Sequence, residues 1–173
     1  MLEYKSTILL VDDDTVILTL LSEILMRDNT YVLTAVGAED GLDKIKRNRV
    51  DLVISDQNMP GMSGLEFLTY VRKEYPDIVT MMMTVSSHLE ISARAVDEIG
   101  VYQFILKPFN VTDLRLAVRR ALEYKQLVAE RTLLLKALVH LEPFTSGAGS
   151  GELRDLLHRL HLDAPAPFLE ASN

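Results

Sequence analysis

Residues 6–14, Ser6-Thr7-Ile8-Leu9-Leu10-Val11-Asp12-Asp13-Asp14, decide the fold. The run is continuously apolar from Ile8 to Val11 and then stops at three acids. A strand with one wet face alternates apolar and polar residues, whereas one buried on both faces reads as this run does. Asp14 stands before an amphipathic stretch reaching to about Asp28, where it can cap a helix. Buried strand, acidic turn, helix is one unit of a parallel sheet covered by helices.

The same unit recurs along the chain. Further strand candidates are Tyr31–Ala35, Asp51–Ser55, Ile78–Thr84 and Gln103–Leu106, with helix-length amphipathic runs between them. Ser63-Gly64-Leu65-Glu66 and Ser87-His88-Leu89-Glu90 both have capping-box spacing. Gly100 stands where a helix-ending glycine is expected, and Asn110 can cap the last helix. Five such units with right-handed crossovers leave two architectures, the flavodoxin-like order and a truncated dinucleotide fold. No Gly-x-Gly-x-x-Gly follows a strand, which disfavours the second. The expectation is an α/β fold, a doubly wound five-stranded parallel sheet in the order 2-1-3-4-5.

The last helix is expected to overshoot that sheet. No Gly or Pro occurs from Val111 to Leu141, and Leu114, Ala117, Ala121, Tyr124, Val128, Leu135 and Leu138 keep a near 3-4 spacing broken by Arg131. At ~1.5 Å per residue it spans on the order of 45 Å. A homodimer through Val111–Leu141 is the simplest way to cover the overhang. Thr145 to Gly151 has a flexible-linker composition. Beyond it, Leu153, Leu156, Leu157 and Leu160 form a one-faced row of about three turns, too short to be stable alone. The expected divisions are 1–125, a domain; 126–142, the helix extension; 143–152, a linker; and 153–173, a tethered amphipathic helix.

Composition narrows the function. The chain has 173 residues, 48% of them hydrophobic, which excludes disorder throughout. Its net charge of −7 gives no general attraction to nucleic acid. The absence of cysteine excludes a disulfide framework, a Cys-ligated zinc and a thiol nucleophile, and fits a cytoplasmic setting. No uncharged apolar run is long enough for a membrane span, and no secretory signal precedes the first strand. The residues after Leu141 are too few and too acidic for a DNA-binding output, so no direct nucleic-acid contact is expected.

In an open parallel sheet, function collects at the carboxyl ends of the strands. Those ends carry Asp12 and Asp13, Ser55-Asp56, Thr84, and Lys107-Pro108. Three carboxylates against one ammonium leave two negative charges uncompensated. A hard divalent cation offsets them, and oxygen-only ligands select Mg²⁺ or Mn²⁺ over Zn²⁺.

These residues, with Asp56 set in Ser55-Asp56-Gln57-Asn58-Met59-Pro60-Gly61 and Lys107 in Lys107-Pro108-Phe109, make residues 5–125 resemble the receiver domain of two-component response regulators, the chemotaxis-regulator-like group of flavodoxin-like folds. The resemblance implies that Asp56 accepts a phosphoryl group from a sensor histidine kinase or histidine phosphotransfer protein. It implies Mg²⁺ held by Asp13, Asp56 and the Asn58 backbone carbonyl, with Asp12 acting largely through water. Lys107 and Thr84 would each meet a phosphoryl oxygen, and the Lys107–Pro108 bond would be cis. Thr84 and Phe104 would form the switch, with Tyr102 a nearby competitor for the aromatic's role. The face made by the fourth and fifth expected helices and the fifth strand would then change shape for a downstream protein partner. Such a domain is a phosphoacceptor that assists its own phosphorylation and dephosphorylation rather than an enzyme.

Two features depart from the pattern. Val85 replaces the usual Ala or Gly after Thr84 and is expected to slow hydrolysis of the phosphoryl group. Met81-Met82-Met83 make a soft strand whose expected role is filling the core. Two other readings compete. A phosphatase of the haloacid-dehalogenase kind needs a second Asp where Asn58 stands. A receiver-like interaction module that is never phosphorylated would not need the intact acidic set.

Overall fold

The computed structural model of the chain describes residues 6–26, 30–85 and 100–141, the last six by backbone only. The expected capping box at Ser87, the linker and the Leu153–Leu160 row lie outside these residues. Five strands, β1 (Ser6–Val11), β2 (Thr30–Ala35), β3 (Leu52–Asp56), β4 (Val79–Val85) and β5 (Gln103–Lys107), form one sheet in the order β2-β1-β3-β4-β5. Every pairing is parallel. The order and class are those expected. Strand ends differ from expectation by a residue or so, and β3 runs on to include Asp56 itself.

The described residues hold four helices, α1 (Thr15–Leu25), α2 (Ala38–Arg47), α3 (Gly64–Glu74) and α4 (Val111–Leu141). Their starts follow local chemistry. The Asp14 carboxylate accepts the Val16 and Ile17 N–H groups. Ser63 and Glu66 close a reciprocal capping box at α3. Asn110 Oδ1 accepts the Thr112 N–H at 2.7 Å. Each satisfies donors that a helix start leaves unpaired. Gly100 has φ +74°; the helix expected before it lies outside the described residues.

The chain divides into two compact units, Met1–Lys125 and Gln126–Asn173, and α4 contributes to both. The first unit is layered on both sheet faces. Ile8, Leu10, Ile54, Met81 and Met83 bury against Leu18, Leu21 and Ile24 of α1 and Leu114, Ala117 and Ala121 of α4. Leu9, Val11, Val53 and Met82 bury on the opposite side with Ile45 of α2 and Phe67, Leu68 and Val71 of α3. Neighbouring strand residues therefore point to opposite helical layers, which explains the absence of polar alternation. The three methionines are fully buried, and core filling is their structural role. Two polar ties hold α4 within this unit: Arg115 Nε donates to the Ile24 carbonyl at 3.2 Å, and Lys125 Nζ donates to the Asp77 carbonyl.

Candidate functional site

Because all strands run the same way, their carboxyl ends share one edge, and the chemically active side chains gather there. β1 delivers Asp12 and Asp13, β3 delivers Asp56, β4 delivers Thr84 and β5 delivers Lys107. Asp12, Asp56 and Thr84 are buried, while Asp13 is exposed. Oxygens of Asp12, Asp13 and Asp56 all lie within 4.8 Å of one another. Two ligands on opposite sides of a Mg²⁺ at ~2.1 Å stand about 4.2 Å apart, so this separation suits one small hard cation. The donor set, carboxylate oxygen without His or Cys, fits the same ion.

Lys107 is the counter-charge. Its Nζ lies 2.6 Å from Asp56 Oδ1 and 3.1 Å from Asp12 Oδ2. Burial works against its charge, but hydrogen bonds to Asp56 and Asp12 outweigh this, so its pKa is raised. Burial pushes the Asp12 carboxyl up, and the Asp14 N–H and Lys107 only partly oppose it. A buried acid with its charge disfavoured gains from any additional cation at this edge. The Lys107–Pro108 peptide is cis.

The loop after β3 is shaped around Asp56. The Asn58 N–H donates to Asp56 Oδ2 at 2.7 Å, leaving Oδ1 to Lys107. The Gln57 N–H reaches the Met83 carbonyl, and its side-chain Oε1 accepts the Leu65 N–H at 3.1 Å. Gln57 thus joins β4 to the start of α3. Gly64 is the residue that sequence reasoning passed over. A Cβ at this position would stand 2.0 Å from the Asp56 carbonyl oxygen and 2.9 Å from Gln57 Cα. Only glycine lets α3 begin this close to the acid. Its signal was present, a glycine at the first helical position of a capping box, where propensity alone disfavours it.

The two candidate switch aromatics lie on different sides of β5. Phe104 is partly buried against the α2–α3 layer, in register with Met82. Tyr102 packs against the α1–α4 layer, its ring centroid 5.1 Å from that of Tyr124 on α4. Thr84 is buried and Val85, half-buried, is in register with Lys107. No helix among the described residues is long and apolar enough to cross a membrane.

Comparison with known proteins matches residues 8–119 to the response regulator receiver domain. The chain is 35% identical over 127 residues to the hydrogenase transcriptional regulatory protein HoxA of Cupriavidus necator, covering 73% of this chain and 26% of that protein. It is 33% identical over 120 residues to the transcriptional regulatory protein YvrH of Bacillus subtilis, covering 69% of this chain and 50% of YvrH. The chain therefore spans only a quarter to a half of these relatives. Among solved structures, a response regulator receiver domain protein from Clostridium thermocellum superposes with a TM-score of 0.67 at 31% identity, covering 71% of this chain and 98% of that one. A CheY-like receiver domain protein from Methanospirillum hungatei gives a TM-score of 0.66 at 33% identity, covering 70% and 97%.

Proposed function

The chain belongs to the response regulator receiver domain family, and on that premise we propose that Asp56 accepts a phosphoryl group from the phosphohistidine of a sensor histidine kinase or histidine phosphotransfer protein. The observation that carries this reading is the Lys107 ammonium bridging Asp56 and Asp12 inside a three-carboxylate cluster. An Asp56 carboxylate oxygen attacks phosphorus, the P–N bond breaks, and the departing imidazole nitrogen takes a proton. Charge then rises on the three equatorial oxygens, so the protein's work is positioning and neutralisation. Lys107, already aimed at Asp56, moves to a phosphoryl oxygen, and the Thr84 hydroxyl donates to another. Asp12, Asp13, Asp56 and the Asn58 carbonyl hold Mg²⁺ or Mn²⁺, which supplies the remaining positive charge when bound.

The phosphoryl group adds about −1.5 to −2 charge beside Thr84. Thr84 turns towards it and Phe104 follows, changing the face of β5 and α4 that meets a downstream protein partner. The domain is a phosphoacceptor of a cytoplasmic phosphorelay and assists its own phosphorylation and dephosphorylation. A homodimer through Val111–Leu141 is a form this output takes when the leucine face of α4 is free. Incubation with acetyl phosphate and Mg²⁺ tests the chemistry. The expected result is a phosphoryl mass gain that is lost in Asp56→Asn and without the metal ion. No gain, together with no beryllofluoride binding, would leave an interaction module that is never phosphorylated.

A further inference from the structure

The N–H groups of Gly64, Leu65 and Glu66 open α3 and have no carbonyl partner within the helix. Ser63 Oγ accepts the Glu66 N–H at 3.3 Å. Gln57 takes the other two. Its carbonyl accepts the Gly64 N–H at 3.0 Å, and its side-chain Oε1 accepts the Leu65 N–H at 3.1 Å. Its own N–H donates to the Met83 carbonyl of β4 at 2.9 Å. Gln57 is buried, so a donor left without it there meets little water.

The Gln57 carbonyl and the Asn58 N–H belong to one peptide unit. That unit is planar and trans, so the two groups point to opposite sides. On one side the carbonyl is held by Gly64. On the other, the Asn58 N–H donates to Asp56 Oδ2 at 2.7 Å, while Asp56 Oδ1 lies 2.6 Å from Lys107 Nζ. The terminal torsion of an aspartate is broad by itself; here both oxygens have a partner that sets it.

We propose that Gln57 is a positioning residue for Asp56. By tying the start of α3 to the 57–58 peptide, it holds the Asp56 carboxylate in the orientation that gathers its oxygen with those of Asp12 and Asp13. The consequence for a cation rests on the reading that these acids bind Mg²⁺. Without Oε1, the Leu65 N–H has to turn outward to find water. The Gly64 N–H moves with it, the 57–58 plane turns, and Asp56 Oδ2 loses its donor. An ordinary helix cap would act on stability alone. Ser63 supplies that comparison, because its hydrogen bonds run to Glu66 and Phe67 and none reaches the 57–58 peptide.

The test uses the full chain with Gln57→Met, which removes the acceptor and keeps an unbranched side chain, beside Ser63→Ala, both well below their melting midpoints. The first measurement is exchange of the Asn58 amide without metal. It is expected to be at least about tenfold faster in Gln57→Met and within about twofold of the parent in Ser63→Ala. The second is Mg²⁺ titration followed by amide resonances. The dissociation constant is expected to rise at least about tenfold in Gln57→Met, the lower end for groups that orient metal ligands, and to stay within about twofold in Ser63→Ala. Unchanged Asn58 exchange in Gln57→Met, or equal changes in both variants, overturns the proposal. A parent chain without Mg²⁺-dependent shifts overturns the cation reading instead, and the metal-free exchange then decides for or against the positioning role by itself.

Discussion

Gly64→Ala separates what a helix prefers from what this site permits. Propensity alone predicts that alanine at a helical position stabilises by up to about 1 kcal/mol over glycine. The structure predicts the opposite sign. The new Cβ would sit 2.0 Å from the Asp56 carbonyl oxygen, 2.8 Å from its carbon and 2.9 Å from Gln57 Cα, all backbone atoms that no side-chain rotation can remove. The start of α3 must withdraw by about 1 Å to reach tolerable contact. That movement strains the Gly64 N–H to Gln57 carbonyl bond, now 3.0 Å, and the Leu65 N–H to Gln57 Oε1 bond, now 3.1 Å. Overpacking at about 1–3 kcal/mol and two weakened hydrogen bonds at about 1 kcal/mol each give a loss of about 3–5 kcal/mol. For a unit the size of Met1–Lys125 that lowers the melting midpoint by about 10–20 °C. Gly61→Ala is the comparison: its φ is +78° but nothing lies within 4 Å of its Cβ, so only the conformational cost of about 1–2 kcal/mol applies. Urea and thermal unfolding of both variants decide the matter. A Gly64→Ala chain within about 1 kcal/mol of the parent, or less affected than Gly61→Ala, would refute the close-approach argument.

Two further predictions rest on individual side chains. Burial works to raise the Asp40 pKa, but the hydrogen bonds from Lys44, at 2.7 Å, and from the Val36 N–H more than offset it, so the folded value is lowered. Its stabilisation is therefore complete above the ordinary value of 3.8 and is lost as pH falls through the lowered one. Because the Asp40 and Lys44 side chains are 39% and 32% exposed, Asp40→Asn should cost under about 1 kcal/mol at pH 7. The gap between the two urea midpoints should narrow at pH 3; an equal gap at both pH values contradicts the assignment. Val85→Ala should shorten the phosphoryl lifetime of Asp56 at least about threefold, or roughly 0.7 kcal/mol of barrier. Radiolabel loss in the two chains measures it, and a parent chain that hydrolyses as fast as the variant removes Val85 as the cause.

The two candidate switch aromatics show why part of the site was not legible in the sequence. Tyr102 directly precedes β5 and Phe104 is its second residue, so spacing alone left them in competition. Packing separates them, Phe104 against the α2–α3 layer and Tyr102 against Tyr124 of α4. Gln57 is similar: nothing local indicates that its side chain would cap Leu65 while its backbone joins Met83. Asp51 is a buried acid, 3% exposed, that accepts the Thr7 N–H at 3.0 Å, a contact across 44 residues of chain.

What the sequence determined by itself is whatever rests on neighbours within about a turn of helix or a few residues of strand. The unbroken run Ile8–Val11 shows burial on both faces, Asp14, Ser63 and Asn110 start their helices, and the absence of Gly or Pro after Val111 lets α4 run to Leu141. The edge-forming acids were legible for the same reason, since each stands where a strand pattern stops. The distances that turn those acids into a site were decided only by tertiary structure. The 2.6 Å and 3.1 Å reach of Lys107 to Asp56 and Asp12 joins three strands, and the fit of Gly64 against the Asp56 carbonyl depends on how α3 closes over β3. Periodicity carries no information about such separations; they follow from the packing of both helical layers on one twisted sheet.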